Sequence, residues 1–470
     1  MGEGVKKTKY DDEDFERFAI ALKSETEKLK THRLSSDRQR VLGLELETWL
    51  VDHDGLPTAA NQKVLKKLNH ELLVPELSKF NLELNSKPLP VQPRVFNMMH
   101  QNLDQLWKHV QRSIADLDCR MLMVGTLPTL RDTMLGIKSM SEVDRYYALN
   151  HRVFEMRSAM PVRLQIEGNE KLIVTHRDIM LEAAATSLQI HLQVPQDEFA
   201  ATFNASLVGS FALVASSANS PFLFGKDLWH ESRIPVFEQA VDVFNLELEE
   251  AQPKRVTFGR DYLRDDWHSL FEANLNDYQV LLPETFDEGT YRHLKFHNGN
   301  IWRWIRPIVG EDSRGDLQLR VEQRTLPAGP TTIDVAANIA FYVGLTTALA
   351  KKDPDALLKF SEAAQNFYQC CRKGLQSKIN WRGRKDVSVT ELICEELLPL
   401  AEQGLHSLDI DAADIKLFLH DVIYPRVTTG RNGANWQRSY IHVHKGDFKG
   451  LVHAYFEGQE SGEPVHTWTV

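Results

Sequence analysis

Four separated stretches of the sequence place acidic, imidazole or guanidinium side chains at every second position. The stretches are RVLGLELETWLVD (40–52), FNLELN (80–85), SLQIHLQV (187–194) and DLQLRVEQRTLP (316–327). Because side chains alternate across a β-strand, each stretch would turn leucine, isoleucine or valine to one face and polar groups to the other. The polar members are Glu45, Glu47, Glu83, Asn85, Gln189, His191, Gln193, Arg320, Glu322 and Arg324.

An antiparallel sheet with one face in water is the ordinary explanation of such alternation. A solvated face usually carries lysine, threonine and serine, yet lysine is absent from all four polar faces. These faces instead concentrate glutamate, histidine, glutamine and arginine, which are ligands and fixed hydrogen-bonding groups. Because four distant stretches share the same division, we predict that their polar faces line one cavity.

The acidic members of this set are candidate metal ligands. Carboxylates that crowd one pocket repel each other, so they must take up protons or bind a cation. An oxygen-rich set with a single imidazole suits Mg²⁺ or Mn²⁺ better than zinc. The candidate ligands are Glu45, Glu47, Glu83, His191 and Glu322.

Arginines accompany these acids at strand spacing. Arg320 and Arg324 alternate with Glu322, and Arg303 and Arg306 lie in the stretch that precedes it. Guanidinium groups bind phosphate and carboxylate oxygens in pairs, so arginines beside acid-bound metals indicate phosphoryl transfer. The sequence has neither GxxxxGK[ST] nor GxGxxG, so we expect the sheet to hold any nucleotide.

Composition limits the classes of function. The chain has 470 residues, 42% of them hydrophobic, and a formal net charge of −10, which does not favour a nucleic-acid-binding protein. We found no apolar run of about 18 residues and no apolar core of a signal peptide, so we expect no membrane association. The four cysteines lack metal-type spacing, which favours a reduced, cytoplasmic protein.

The elements that must position these side chains follow from periodicity and turn signals. We predict a charged helical extension over 1–38 and a single catalytic domain over 39–470 with a helical C-terminal part. Besides the stretches above, strands are predicted at 120–130 and 297–309. Helices are predicted at 93–118, 197–218, 231–250, 332–350, 354–372, 389–402 and 411–421, and polar loops near 250–300 and at 379–388.

An ordered set of motifs resembles the carboxylate–amine ligases related to glutamate–cysteine ligase, of the family 2 type. GLELETWLVD resembles their opening G-x-E-x-E strand, FNLELN their second acidic strand and SLQIHLQV their histidine strand. ANSPFLFG (218–225) resembles their A-N-S-P-F segment, IWRWIRP (301–307) with LRVEQRTLPAGPT (319–331) their W-W-x-x-R-P and E-x-R pairing, and RVTTGRNGANWQR (426–438) a C-terminal element. The resemblance runs in order from about 40 to 438.

This resemblance implies an α+β, glutamine-synthetase-like fold, in which helices cover the outside of a curved, mostly antiparallel sheet. It implies ATP, two or three Mg²⁺ ions, and activation of a carboxylate as an acyl phosphate that an amine attacks. By the motif match, Glu45, His191 and Glu322 would surround one metal at the ATP phosphates. Glu47 and Glu83 would hold the metal nearer the carboxylate.

The resemblance also suggests roles for the remaining polar residues. Arg306 and Arg324 would neutralise the transferring phosphoryl group, and Arg320, which alternates with Glu322 on the same strand face, is a further catalytic candidate. Arg233, which follows the A-N-S-P-F segment, would lie on the substrate side. Further candidates for substrate binding are Asn85, Gln189 and Arg303. The family often carries H-x-H where this sequence reads QIHLQ, so Gln189 or Gln193 would replace the second imidazole.

The sequence thus predicts an ATP- and Mg²⁺-dependent ligase that joins a small carboxylate to an amine, most simply glutamate to cysteine. DLWHESR (227–233) replaces the family's tyrosine-rich stretch, which leaves both substrates open. The alternatives are a guanidino or carboxylate kinase on the same fold and an inactive nucleotide-binding regulatory protein. A homo-oligomer is compatible with this fold.

Other conspicuous residues are given structural interpretations. We expect His297 to be structural, Trp302 and Trp304 to be core or stacking residues, and Cys370 and Cys371 to be inert. His442 and His444 would share one face of a strand.

Overall fold

The structure is a computed structural model that describes residues 4–243, 253–264, 266–287 and 289–470. The helix predicted at 231–250 forms over Arg233–Ala240, and positions 244–250 of that prediction lie outside the described residues. The mixture of helices and a large antiparallel sheet confirms the predicted α+β class.

Fourteen strands are present in the described residues. They are β1 Val41–Val51, β2 Leu73–Pro75, β3 Asn81–Asn85, β4 Leu89–Pro90, β5 Arg120–Leu122, β6 Val162–Glu167, β7 Lys171–His176, β8 Ser187–Val194, β9 Phe222–Leu223, β10 Lys226–Asp227, β11 Ile305–Glu311, β12 Leu317–Pro327, β13 Lys378–Trp381 and β14 Arg384–Ser388.

Seventeen α-helices are present in the same residues. They are α1 Asp12–Leu29, α2 Asn61–Leu68, α3 Val95–Ser113, α4 Asp144–Met156, α5 Gln196–Ser217, α6 Arg233–Ala240, α7 Ser269–Asp277, α8 Arg292–Asn298, α9 Thr332–Leu349, α10 Pro354–Leu357, α11 Phe360–Lys373, α12 Val389–Leu392, α13 Leu398–His406, α14 Ala412–Ile415, α15 Tyr424–Thr428, α16 Gly433–Val443 and α17 Phe448–Ser461. Two π-helical segments, Ile393–Leu397 and Lys416–Ile423, join α12 to α13 and α14 to α15.

One curved sheet contains all four of the alternating stretches. Its strand order is β11-β12-β8-β1-β3-β2, with β4 and β5 also paired to β1, and its strand pairs are antiparallel. In β1 burial alternates residue by residue, with Leu42, Leu44 and Leu46 fully covered. The leucine face therefore meets the helical layer, as the alternation predicted.

Two long apolar helices form the centre of this helical layer. In α5 and α9, residues with small or apolar side chains are buried along nearly the whole length, and α5 contacts both β12 and α9. By length and composition alone either helix is apolar enough to cross a membrane, but 89% of each apolar window is buried inside the fold. Their hydrophobicity is thus accounted for by packing against the sheet and neighbouring helices.

The N-terminal residues form the helix expected for them. Asp11 caps α1 in a capping box with Asp14, and α1 packs against α7 and α8. Leu34 then forms a bridge to Leu317, at the start of β12.

Several predicted elements are wrong in type or extent. The strand predicted at 120–130 is limited to β5, and the one predicted at 297–309 is replaced by the end of α8, a loop and β11. In that loop the backbone amide groups of Trp302 and Trp304 donate to the carbonyls of Arg255 and Thr257, so the chain joins the sheet only where β11 begins. The loop expected at 379–388 is the β13–β14 hairpin. His442 lies within α16 and His444 caps it, so they share no strand face.

Two glycines allow the close approach of α9 and α13. A Cβ atom at Gly404 would collide with the carbonyl oxygen of Gly344. Gly404→Ala is therefore expected to lower the free energy of unfolding by about 2 kcal/mol or more, because backbone cannot move aside as a side chain can. Chemical denaturation measures the change.

Gly209→Ala in α5 is the matched control for this substitution. Its added methyl group would meet the Leu345 side chain at 3.3 Å, and alanine favours a helix more than glycine does. We expect Gly209→Ala to stay within about 1 kcal/mol of the wild-type protein. Equal stability of the two variants would contradict the assignment of Gly404 as a backbone crossing point.

Candidate active site

The polar face of the main sheet forms the floor of a cavity of about 590 Å³. All but three of the candidate residues line this cavity. Those that do are Glu45, Glu47, Glu83, Gln189, His191, Arg306, Arg320, Glu322 and Arg324. Their side chains come from β1, β3, β8, β11 and β12, so the prediction that the polar faces line one cavity is confirmed.

Three candidates lie elsewhere. Arg233 is 3% exposed and pairs with Glu231 at 2.8 Å, so its guanidinium group is engaged in the core behind the floor. Arg303 donates to the Asn274 side chain and lies 5.3 Å from the centroid of the Tyr278 ring. Asn85 donates to Glu83 Oε1 at 2.7 Å and thereby orients a cavity residue.

His191 stands between two carboxylates in the middle of the floor. Its Nε2 atom is 3.1 Å from Glu45 Oε1 and 3.6 Å from Glu322 Oε1. Burial alone would raise the pKa of Glu45, but the hydrogen bond and charge of His191 outweigh it and hold that pKa at about 2. The imidazole therefore holds a cation-like position between two acids, and its Nδ1 atom is buried without a partner among the described residues.

Glu322 is held by two arginines. Arg306 donates to both of its oxygens, at 2.6 and 2.8 Å, and Arg324 Nη1 lies 3.3 Å away. Burial would raise the pKa of Glu322, but Arg306 and Arg324 outweigh it and hold the pKa far below its usual range. Glu322 stays ionised, and it fixes the two guanidinium groups at the cavity surface.

A second acidic cluster lies towards the β3 and β2 side of the floor. Carboxylate oxygens of Glu47, Glu76 and Glu83 all lie within 4.8 Å of one another. Glu47 also accepts hydrogen bonds from the Ser187 backbone amide at 2.7 Å and from Gln189 Nε2 at 2.9 Å. An all-oxygen set at this spacing fits a hard divalent cation such as Mg²⁺ or Mn²⁺.

The raised pKa values of the acids in this cluster support its assignment as a divalent-cation site. Burial, followed by the charges of Glu47 and Glu182, raises the pKa of Glu76 to about 8. Burial and the charges of Glu45 and Glu76 raise the pKa of Glu83 well above its ordinary value. Without a cation these acids keep protons that exposed carboxylates would lose, so a divalent ion would relieve a repulsion built into the floor.

Sequence analysis missed two acids of the cavity, Glu76 and Glu182. Glu76 follows the three-residue strand β2, where Val74 and Glu76 alternate with buried Leu73 and Leu77. That alternation was present in the sequence but too short to stand out. Glu182 lies in the short 3-10 turn Glu182–Ala184 before β8, a position with no periodic signal.

The structure distinguishes the two glutamines of the histidine strand. Gln189 donates to Glu47, and its Oε1 atom accepts a hydrogen bond from Arg324, so it links an acid of the second cluster to an arginine. Gln193 lies outside the cavity lining. Of the two, Gln189 therefore occupies the position at which a second imidazole could face the site.

Helical side chains and aromatic rings complete the cavity walls. Arg145, Tyr146 and Leu149 come from α4, and Phe296 comes from α8. Other wall residues include Phe237 and Trp302. These groups leave a space of the size that small-molecule sites usually have.

The charged side chains of the cavity floor are basic at one edge and acidic at the other. Arg306, Arg320 and Arg324 lie on β11 and β12, whereas Glu47 and Glu83 lie on β1 and β3. The His191 group stands between these regions. A phosphate-bearing ligand therefore fits the β11–β12 edge, and cationic groups fit the opposite edge.

The structural interpretations of the other residues agree with their surroundings. His297 is buried, with Nε2 3.0 Å from the Asn274 carbonyl oxygen, and burial lowers its pKa to about 4. Trp304 is 1% exposed, whereas Trp302 contributes to the cavity wall. Burial raises the pKa of the Cys370 thiol to about 12, as expected for an inert core cysteine.

Comparison with known proteins gives one family. A sequence model of glutamate–cysteine ligase family 2 matches residues 41–454. No curated protein sequence gives a significant match. The chain is similar in fold to the glutamate–cysteine ligase of Francisella tularensis, solved in complex with AMP, at a TM-score of 0.54 and 12% identity, covering 91% of this chain and 90% of that one.

A second solved structure, the bifunctional glutathione synthetase of Pasteurella multocida, is similar at a TM-score of 0.51 and 13% identity. The match covers 94% of this chain and 54% of that one, so the chain corresponds to about half of the bifunctional protein. At these identities the two structures establish the fold, which agrees with the glutamine-synthetase-like fold expected from the motifs.

The acidic cluster predicts a pH-dependent response to metal. The pKa of Glu76 rises on folding from 4.5 to about 8, so its contribution to stability is complete below pH 4.5 and is lost as pH rises through 8. A Mg²⁺ ion bound at the cluster would displace these protons, so it should raise the melting temperature more at pH 8 than at pH 6. Thermal denaturation in EDTA and in Mg²⁺ measures both effects.

Glu76→Gln should weaken both the pH dependence and the gain from Mg²⁺, because one buried charge is removed. Glu71→Gln, which changes an exposed acid paired with Lys87, is the control. A Mg²⁺ effect that is independent of pH and unchanged in Glu76→Gln would rule out the cluster as a cation site.

The position of Gln189 leads to a separate prediction. Gln189→Ala should weaken Mg²⁺ or Mn²⁺ binding about tenfold to a hundredfold, because Glu47 and Arg324 lose their shared partner. Titration calorimetry measures the affinity, and Gln193→Ala on the same strand should leave it unchanged. Equal effects of the two substitutions would show that Gln189 has no special role in orienting Glu47.

Proposed function

The chain belongs to glutamate–cysteine ligase family 2 and is a carboxylate–amine ligase, and we propose that it uses ATP and Mg²⁺ to activate its acid as an acyl phosphate. The γ-phosphoryl group passes to a carboxylate oxygen with release of ADP. The neutral amine then attacks the acyl carbon, and the amide bond forms as inorganic phosphate leaves with the proton that the nitrogen loses. The first step brings the negative γ-phosphate and carboxylate together, and the second develops negative charge on the acyl oxygen and the leaving phosphate, so the site must supply positive charge in fixed positions.

The observation that carries this proposal is the arrangement of charges along the cavity floor. Arg306 and Arg324 are held by Glu322 at one side of His191, and the Glu47–Glu76–Glu83 cluster lies at the other. Such an arrangement suits a triphosphate and a carboxylate that approach each other across bound cations. A purely structural sheet face would not concentrate acids and arginines in this order.

The arginines have the task of binding and orienting the transferring phosphoryl group. Because Glu322 receives two hydrogen bonds from Arg306 and one contact from Arg324, both guanidinium groups are fixed before a ligand arrives. Arg320 lies two residues from Glu322 on the same face of β12. Fixed positive groups stabilise the charge that develops in the transition state without further reorganisation.

The acids have the task of holding divalent cations. Glu47, Glu76 and Glu83 would hold one ion, and Glu45, His191 and Glu322 would supply donors for another. When bound, these ions would neutralise phosphate and carboxylate oxygens. Gln189 and Asn85 orient Glu47 and Glu83 through hydrogen bonds of 2.9 and 2.7 Å.

The cavity walls protect the activated acid. An acyl phosphate is consumed by water unless the amine reaches it first, so a ligase must exclude water from the reacting carbon. Tyr146, Leu149, Phe237 and Trp302 surround the floor with largely apolar surface. The cavity volume, about 590 Å³, is suited to small substrates beside the phosphate end of a nucleotide.

Glutamate and cysteine are the simplest pair of substrates. The family description supports this choice, as does the name of the Francisella tularensis enzyme with the same fold. The product would then be γ-glutamylcysteine.

Glu322→Gln tests the reaction class. The substitution removes the charge that holds Arg306 and Arg324, so we expect phosphate release to fall at least a hundredfold in kcat. The assay supplies ATP, Mg²⁺, glutamate and cysteine, with further acids and amines in separate wells. Glu167→Gln, an exposed acid outside the cavity that pairs with Lys171, should retain wild-type activity.

The products distinguish a ligase from a kinase. Phosphate should form only when ATP, acid and amine are all present, together with one amide per phosphate. ADP and a stable phosphorylated acid or guanidine formed without amine would contradict the proposal. Melting curves of Glu322→Gln establish that any loss of activity does not come from unfolding.

A further inference from the structure

We propose that Glu182 and the ring of Tyr146 form a subsite that binds a protonated amino group of a substrate at the acidic edge of the cavity. The inference rests on the proposed function, because this amino group belongs to one of the two molecules that the ligase joins. It assigns to Glu182 a role in substrate selection that is separate from metal binding and phosphoryl transfer.

Glu182 differs from the other acids of the cavity in its lack of partners. Its carboxylate makes no hydrogen bond and no ion pair with any residue that the structure describes. By contrast, Glu47 accepts two hydrogen bonds, Glu83 is bonded to Asn85 and Glu322 is bonded to Arg306. Glu182 nevertheless lines the cavity. A partly buried carboxylate with no protein partner is available to a ligand.

The charges around Glu182 favour a cation. Glu47, Glu76 and Glu83 crowd three carboxyl groups into one part of the floor, and Glu182 brings a fourth acid to the same cavity. Arg324 is the cation that acts on Glu182, but it already bonds Glu322 and Gln189. A substrate carboxylate at this edge would be repelled, and an ammonium group would be attracted.

Arg145, the arginine next to Tyr146, does not take the place of an ammonium group beside Glu182. Arg145 belongs to α4, as does Tyr146, but its guanidinium group lies 5.4 Å from the centroid of the Phe296 ring on α8. It is thus directed towards another wall of the cavity.

The surfaces beside Glu182 suit an ammonium group on a short carbon chain. Tyr146, Leu149 and Ile179 line the same cavity. The Tyr146 hydroxyl donates to the Pro75 carbonyl oxygen at 3.1 Å, so the ring is anchored. An aromatic ring and apolar side chains pack against methylene groups, and an aromatic ring also attracts a cation.

Two substrates could supply the protonated amino group. One source is the α-amino group of an amino acid whose side-chain carboxylate is activated. The other is a second amino group on the amine substrate. Glutamate compared with glutarate tests the first source, and 1,4-diaminobutane compared with butylamine tests the second.

The experiment compares wild-type protein, Glu182→Gln and Glu182→Asp. For the substrate whose amino group occupies the subsite, Glu182→Gln should raise KM about tenfold to a hundredfold with kcat changed less than about threefold. KM for ATP and for the analogue without that amino group should not change. Glu182→Asp retains the charge and should recover part of the affinity, which a merely structural role would not require.

Calorimetric binding of the same four compounds, in Mg²⁺ without ATP, separates this inference from the proposed function. If no acid and amine pair releases phosphate, the proposed ligase reaction with these substrates fails. The subsite then stands if wild-type protein prefers glutamate to glutarate, or diaminobutane to butylamine, and Glu182→Gln loses that preference. It is overturned if the preference persists in Glu182→Gln or if none of the four compounds binds.

If the wild-type protein does release phosphate, the kinetics of Glu182→Gln test the subsite separately. If phosphate is released but Glu182→Gln changes KM equally for compounds with and without the amino group, the subsite is overturned and the ligase function stands. Glu167→Gln controls for loss of a surface charge, and melting curves control for folding. Should Glu182→Gln fail to fold, Glu182→Asp supplies the test, because its shorter side chain should weaken binding of the amino-bearing compound alone.

Discussion

Repulsion between carboxylates on one face of a sheet is the constraint on which this structure depends. In the β1–β3 pairing Glu47 lies directly opposite Glu83, and cross-strand neighbours have Cβ atoms only about 5 Å apart. The β8–β12 pairing sets His191 opposite Glu322, and the β11–β12 pairing sets Glu322 opposite Arg306. Strand register thus decides both where the repulsion arises and where it is relieved.

The opposite face of the sheet supplies the stability that this arrangement requires. Leu42, Leu44 and Leu46 are buried, and α5 and α9 cover the β12 and β8 side of the sheet. Each fully buried aliphatic side chain contributes about 1.5–3 kcal/mol relative to its exposure to water. The apolar face therefore offsets the strain of the acidic face, and it does so with residues that alternate with the acids in the same strands.

The cavity floor could be predicted from sequence because long strands repeat their pattern several times. Glu45, Glu47, His191 and Glu322 were found this way, since each lies within at least five residues of regular alternation. Glu182 could not be predicted in this way, because it lies in a 3-10 turn, which has no two-residue period. Arg233 was misplaced because a motif match gives the order of residues along the chain but not the direction of a side chain, and Arg303 was misplaced because its stretch was predicted to be a strand.

Local helix and strand signals failed where tertiary contacts decide the conformation. The stretch before β11 alternates tryptophan and arginine as a strand would, yet the backbone amides of Trp302 and Trp304 bond to Arg255 and Thr257, and the Trp304 carbonyl accepts from Arg324 only where β11 is about to begin. Nothing in the sequence of this stretch indicates that its backbone bonds to Arg255 and Thr257.

Because side chains alternate along a strand, the register of β1 decides which of its residues face the cavity. One residue inserted into β1 before Glu45 would shift both of its acids to the leucine face, and would bring leucines into the cavity. Such a chain would lose both the apolar packing of its core and the acids of its cavity. We therefore expect natural variation in length among related chains to gather in the connections, such as the one between β7 and β8 that carries Glu182, where substrate preference can change while the floor is preserved.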